Sequence, residues 1–141
     1  MDLVVDANIL FAGLIRDNLT AELLFCERLH LFAPEFLFTE FEKYEDLIVQ
    51  KTSRTKEDFQ KVISLLKNRI EIYPKEDFTD YIIRGERISP DNKDSQYFAL
   101  ALFLGASIWS NDKLLKEQNE IEVYSTNDLR KVLNFEKWIS N

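Results

Sequence analysis

Three aspartates far apart along the chain stand where apolar runs begin or end. Asp6 closes "LVVD", Asp94 opens "DSQYFALAL", and Asp112 follows "ASIWSN". Carboxylates gathered without a counter-charge repel one another and raise each other's pKa. A hard divalent cation relieves that repulsion, because Mg²⁺ and Mn²⁺ take oxygen ligands and keep water in the remaining positions. A carboxylate cage without histidine suits phosphoryl transfer, in which the ion activates water and steadies charge on the phosphate. That chemistry requires no side-chain nucleophile, and the sequence offers no good triad. Glu40 is a fourth acid that could face the same crevice, and Asn8, Ser110 and Asn111 are polar neighbours of the first and last aspartates.

Each acid also has a plainer role. Asp6 and Asp112 could cap helices that follow their strands. Glu40 lies among Glu35, Glu42 and Glu45, and such a run usually marks a solvated helix face. Asp91 and Asp94 have the capping-box spacing, with Asp in place of the usual Glu. Capping accounts well for Asp91 but only in part for Asp94, because one good cap already satisfies the most accessible amides.

The elements that would position these residues alternate along the chain. Residues 2–5 read as a buried strand, followed by a helix through "ANILFAGLI". "TAELLFCERL" (20–29) reads as a helix and "HLFA" as a strand, with Pro34 suited to the first turn of a helix over 35–50. After the break at "KTSRT", Phe59, Val62, Ile63, Leu65 and Leu66 recur at helical spacing. "IEIYP" alternates as a strand, and "EDFTDYIIRGERI" reads as a helix weakened by Gly85. A helix over 91–104 ends at Gly105, a natural terminator. Strands at 106–110 and 121–125 are separated by a short helix and followed by "TNDLRKVL", a last one. This order predicts an α/β fold with a parallel sheet covered on both faces. In such a sheet ligands bind at the carboxyl ends of the strands, which is where Asp6 and Asp112 fall.

Composition sets the outer bounds. A chain of 141 residues, 45% hydrophobic and 13% aromatic with three Gly and three Pro, suits one packed domain with a C-terminal tail over 134–141. The lone Cys26 allows no internal disulfide, and one histidine, His30, excludes a Cys/His zinc site. The N-terminus lacks a basic segment and cleavage site, and no apolar run reaches the roughly 20 residues that span a bilayer. A cytoplasmic location without membrane attachment is the resulting expectation. The net charge of −7 alone argues against a nucleic-acid partner, although a cation-binding site concentrates carboxylates that count toward that total.

Taken together, "VVDANIL", "FTEF", "DNKDSQYFALAL" and "IWSNDKLL" resemble the PIN domain family in motif order and spacing, over about residues 1–133. The resemblance implies a three-layer α/β/α sandwich with a central, mostly parallel sheet. It implies an endoribonuclease dependent on Mg²⁺ or Mn²⁺, often the toxin of a VapC-type toxin–antitoxin pair, with RNA as substrate and an antitoxin as partner; it admits a homodimer. Carried over by motif, Asp6, Glu40, Asp94 and Asp112 are the catalytic acids. Asp6, Asp94 and Asp112 hold the metal, with Asn8, Ser110 and Asn111 in support. On this reading Asp91 caps its helix and Asp94 points at the ion.

Leu114 departs from the pattern, because many relatives carry an acid there; this bears on a second metal. Glu42 lies close to Glu40, and the turn of about 100° per residue keeps the two from facing the site together. Lys51, Arg54, Lys56, Arg84 and Arg87 are candidate phosphate contacts, or else ordinary solubilising surface. The competing function is a catalytically weak or inactive PIN-like module that binds protein. It would use an apolar patch from Leu23, Phe25, Phe36, Phe38, Phe59 or Trp138. A phosphatase with an aspartyl nucleophile is disfavoured by Asn8, which stands where such enzymes generally want a second carboxylate.

Overall fold

The first strand, β1 (Asp2–Val5), is an unbroken apolar run whose Leu3, Val4 and Val5 are fully buried, as a central strand covered on both faces requires. A computed structural model describes residues 1–15 and 18–134 of the chain. Most of the tail expected over 134–141, Trp138 included, lies outside the described residues.

After β1 come the helices α1 (Ala7–Ile15) and α2 (Asn18–Leu24), then strand β2 (His30–Pro34). Helices α3 (Phe36–Lys43), α4 (Glu45–Thr52) and α5 (Lys56–Arg69) lead to β3 (Ile70–Tyr73). A 3₁₀ segment (Lys75–Tyr81), α6 (Ile82–Ile88), a 3₁₀ turn (Asn92–Asp94) and α7 (Ser95–Leu104) lead to β4 (Ser107–Trp109). A 3₁₀ helix (Lys113–Glu117), β5 (Val123–Tyr124) and α8 (Thr126–Leu133) follow. The five strands form one sheet in the order β3-β2-β1-β4-β5, and every pairing is parallel. The chain builds outward from β1 to β3, then crosses back to lay β4 on the other side of β1. With right-handed crossovers this reversal puts α1–α5 on one face and α6–α7 on the other, giving the expected three-layer sandwich. The reversal falls between β1 and β4, so a crevice opens between their carboxyl ends.

Several boundaries differ from the periodicity. Pro34 ends β2, paired with Tyr73, and is not in the first helical turn; its missing N–H is tolerated at a strand end. The helix expected over 35–50 breaks at Tyr44, whose φ −100° and ψ 16° end α3 and begin α4. The helix expected over 20–29 spans Asn18–Leu24, and the one through "EDFTDYIIRGERI" is half 3₁₀, with Phe78 at the kink. The helix expected over 91–104 begins at Ser95, after the 3₁₀ turn that Asp91 caps.

Helix α7 threads the core, with Tyr97 to Ala101 all buried. Its small residues let α6 approach closely. A Cβ on Gly85 would lie 2.7 Å from the Ser95 carbonyl oxygen and 2.8 Å from the Ala99 amide nitrogen. Gly105, at φ +65°, ends α7 in the left-handed region, where a side chain would be strained. This anchored helix carries Asp94 at its amino end.

Candidate active site

Asp6 follows β1 and is 3% exposed. Its Oδ1 accepts the Ile9 amide at 3.0 Å, so the plainer expectation is met in part: Asp6 does cap α1. The cap does not make it comfortable. Desolvation is the largest influence and pushes its pKa from 3.8 to about 6. The Ser110 hydroxyl and the Ile9 amide pull it back, and Asp112 pushes it further up. Among the described residues no basic side chain is one of the groups that act on it.

Asp94 occupies the position that would cap α7, yet its side chain makes no capping hydrogen bond. Asp91 caps the preceding 3₁₀ turn instead, with Oδ1 accepting the Lys93 amide at 3.0 Å. Asp94 is half-buried, and its pKa also rises to about 6, first through desolvation and then through Asp6, Asp91 and Asp112, with Lys93 opposing. Asp112 is exposed after β4, where its Oδ1 caps the 3₁₀ helix by accepting the Leu114 amide at 3.0 Å. Ser110 is buried and bridges two acids. It hydrogen-bonds to Asp6, and its Oγ accepts the Asp112 amide at 3.1 Å. Three aspartates from separate parts of the chain thus lie within electrostatic reach at the point where the strand order reverses.

The other expected residues divide. Asn8 and Glu40 line a cavity of about 570 Å³ beside Asp94, and Glu40 pairs with Lys43 at 2.8 Å. Glu42 turns away to pair with Lys67 at 2.9 Å, which places Glu40 and not Glu42 toward the cavity. Asn111 turns to Thr126, accepting its amide at 2.8 Å and donating to its hydroxyl at 3.1 Å, so it ties β4 to α8. Leu114 is exposed at the start of the 3₁₀ helix.

Of the basic residues, Lys51 lines the cavity. Arg54 donates to the Leu14 carbonyl at 3.1 Å, Lys56 pairs with Asp46 and Arg84 with Glu120, and Arg87 is exposed on α6 and not part of the cavity. Among the described residues the apolar patch expected of the binding-module reading does not form: Leu23, Phe38 and Phe59 are buried in the core, and Phe36 is partly covered. Phe25 alone among its described members is exposed.

Two residues escape the sequence reading. Lys93 lines the cavity between the two acids of "DNKD". Tyr97 is buried, its hydroxyl accepting the Ala7 amide at 3.2 Å, and its ring tilts against Phe36 at 5.3 Å. Burial, aided by Asp6, Asp94 and Glu40, pushes the Tyr97 phenol well above its usual range, so it stays protonated. Its signal in the sequence is slight: a polar-tipped aromatic one turn after Asp94, inside an otherwise apolar run.

The donor chemistry suits a hard divalent cation. Three carboxylates and no imidazole or thiolate are present, and among the described residues no cation offsets the buried Asp6. Among the described residues, however, no three acidic, histidine or cysteine side chains are grouped closely enough to hold an ion. Asp6 and Asp112 each commit one carboxylate oxygen to a backbone amide, whereas Asp94 makes no capping hydrogen bond.

Among the described residues no helix is long and apolar enough to cross a membrane. No curated protein matches the sequence significantly. A solved structure, VapBC2 from Rickettsia felis bound to a DNA fragment from their promoter, matches with a TM-score of 0.63 at 15% identity. The match covers 89% of this chain and 98% of the other, and at that identity it establishes the shared fold. A family model described as the PIN domain matches residues 4–127, most of the chain. The chain belongs to the PIN domain family.

Proposed function

We propose that this protein is a PIN-type nuclease, an endoribonuclease dependent on Mg²⁺ or Mn²⁺, and the toxin of a toxin–antitoxin pair. The observation that carries the reading is the mutual electrostatic reach of Asp6, Asp94 and Asp112 at the switch between β1 and β4. A desolvated, uncompensated carboxylate at a sheet's carboxyl edge is costly to the fold, and cation binding gives it a purpose. The likeness to the VapBC2 complex supports an antitoxin as partner.

Asp6, Asp94 and Asp112 would hold the ion, which when bound supplies an activated water and charge neutralisation at the scissile phosphate. The chain's own groups do the rest. Ser110 and the Ile9 amide hold Asp6 in one orientation. The Tyr97 hydroxyl ties the first amide of α1 to α7 and so fixes the spacing between the elements bearing Asp6 and Asp94. Glu40, held by Lys43 at the cavity wall, accepts a proton from the attacking water at its carboxylate.

The test is cleavage of end-labelled RNA with Mn²⁺, Mg²⁺ or EDTA. Asp94→Asn should abolish metal-dependent cutting, while Asp91→Asn, which alters a cap outside the ion site, should retain it; equal loss from both would sink the division of roles. One observation favours the competing reading of a catalytically weak or inactive protein-binding or regulatory module, namely that no ligand cluster is formed among the described residues. Calorimetry with Mn²⁺ separates the two readings. Absence of binding, together with absence of cutting, would favour the module.

A further inference from the structure

The cavity beside the acids is more apolar and aromatic than ion binding requires. Phe11 meets Tyr44 edge to face at 5.7 Å, and Tyr44 and Leu47 are 47% and 45% exposed. Two lysines from different elements line the same cavity, Lys51 in the last turn of α4 and Lys93 in the turn before α7. Neither forms an ion pair among the described residues, whereas Lys43, one turn after Glu40, is paired with it. An exposed ring, an apolar wall and two lysines without an ion pair among the described residues, one of them acting on Asp94, match an unpaired nucleobase carried on a charged backbone. Every base has a face that stacks on an aromatic side chain, and the lysines supply the phosphate contacts. On a chain of net charge −7, such local cations decide where a polyanion can settle.

Resting on the nuclease reading above, we propose that this cavity is a base-stacking subsite. One unpaired base of the RNA, next to the scissile phosphate, lies on Tyr44, with Lys51 and Lys93 holding adjoining phosphates.

The test compares cleavage of a single-stranded RNA by the parent, Tyr44→Ala, Tyr44→Phe and Lys51→Gln, each with its Mn²⁺ affinity measured by calorimetry. The same RNA is made with an abasic residue at each position flanking the cut. Tyr44→Ala should lower kcat/KM roughly 5- to 150-fold, the equivalent of one lost base stack, with Mn²⁺ affinity unchanged. Tyr44→Phe, which keeps a stacking ring, should lose far less than Tyr44→Ala, and Lys51→Gln should flatten the salt dependence. One abasic position should cost the parent the same factor and cost Tyr44→Ala nothing further. The abasic loss in the parent does not depend on how well the alanine variant folds, and its absence at every flanking position would also overturn the subsite. Parent-like cutting by Tyr44→Ala, with Asp94→Asn inactive, would overturn the subsite and leave the nuclease standing. The same holds if Tyr44→Ala loses a protein partner but not cleavage, which would mark the face as a protein-docking surface. A parent that neither cuts nor binds RNA would overturn both readings.

Discussion

Replacing Asp6 by Asn tests whether the site stores charge that only a cation relieves. Asp6 is 3% exposed, and burial raises its pKa from 3.8 to about 6. A carboxyl group with a raised folded-state pKa binds its proton more tightly when folded than when unfolded. Stability is therefore fully present below the unfolded value and is lost as pH climbs through about 6. A rise of this size corresponds to about 3 kcal/mol lost by pH 7.5. Asparagine has nearly the same shape, keeps an oxygen for the Ile9 amide and carries no charge. In EDTA at pH 7.5, Asp6→Asn should be more stable than the parent by up to ~3 kcal/mol, a rise in Tm on the order of 10 °C for a chain of this length. The gain should shrink as pH falls toward 4. Asp94 contributes to it, because part of its own pKa rise comes from Asp6, but its partial exposure screens that share. Thermal and urea unfolding from pH 4 to 8 would measure the difference, first in EDTA and then with Mn²⁺. The ion should raise the midpoint of the parent and leave that of the variant nearly unmoved. An Asn variant less stable than the parent at pH 7.5 in EDTA, or equally stabilised at pH 4 and 7.5, would refute the reasoning.

Tyr97→Phe removes the acceptor of the Ala7 amide without emptying the core, and should cost about 1–3 kcal/mol in urea unfolding. An unchanged midpoint would show that the amide finds water instead. Gly85→Ala sets a methyl group 2.7 Å from a backbone oxygen of α7 that cannot rotate aside, so about 1–3 kcal/mol or more should be lost. A parent-like melting curve would mean that α6 and α7 separate easily.

Much of the fold was legible because α/β order writes itself in local pattern. Leu3–Val5, before the first helix, and Ser107–Trp109, after α7, are short apolar runs, and they became the two strands that the acids follow. The misplaced boundaries lie where tertiary contacts override periodicity. Tyr44 breaks a run that reads as one helix, and Pro34 is claimed by its pairing with Tyr73. The partners of two basic residues were hidden for a related reason. Arg84 meets Glu120, 36 positions away, and Arg54 meets the Leu14 carbonyl across 40, neither partner being visible from local spacing.

By itself the sequence determined which residues could be acids at strand ends, because the end of an apolar run marks the end of a buried strand whatever surrounds it. Asp6 and Asp112 needed nothing more to be found, and the adjacent cap at Asp91 left Asp94 without a local role. Only the tertiary structure decided which of these groups share one electrostatic environment. It also decided that Glu40 and not Glu42 faces the cavity, and that Tyr97 and Lys93 join it. Direction and desolvation depend on how α3 and α7 pack against the rest of the molecule. Those are properties of the folded surface, and no residue carries them in its own neighbourhood along the chain.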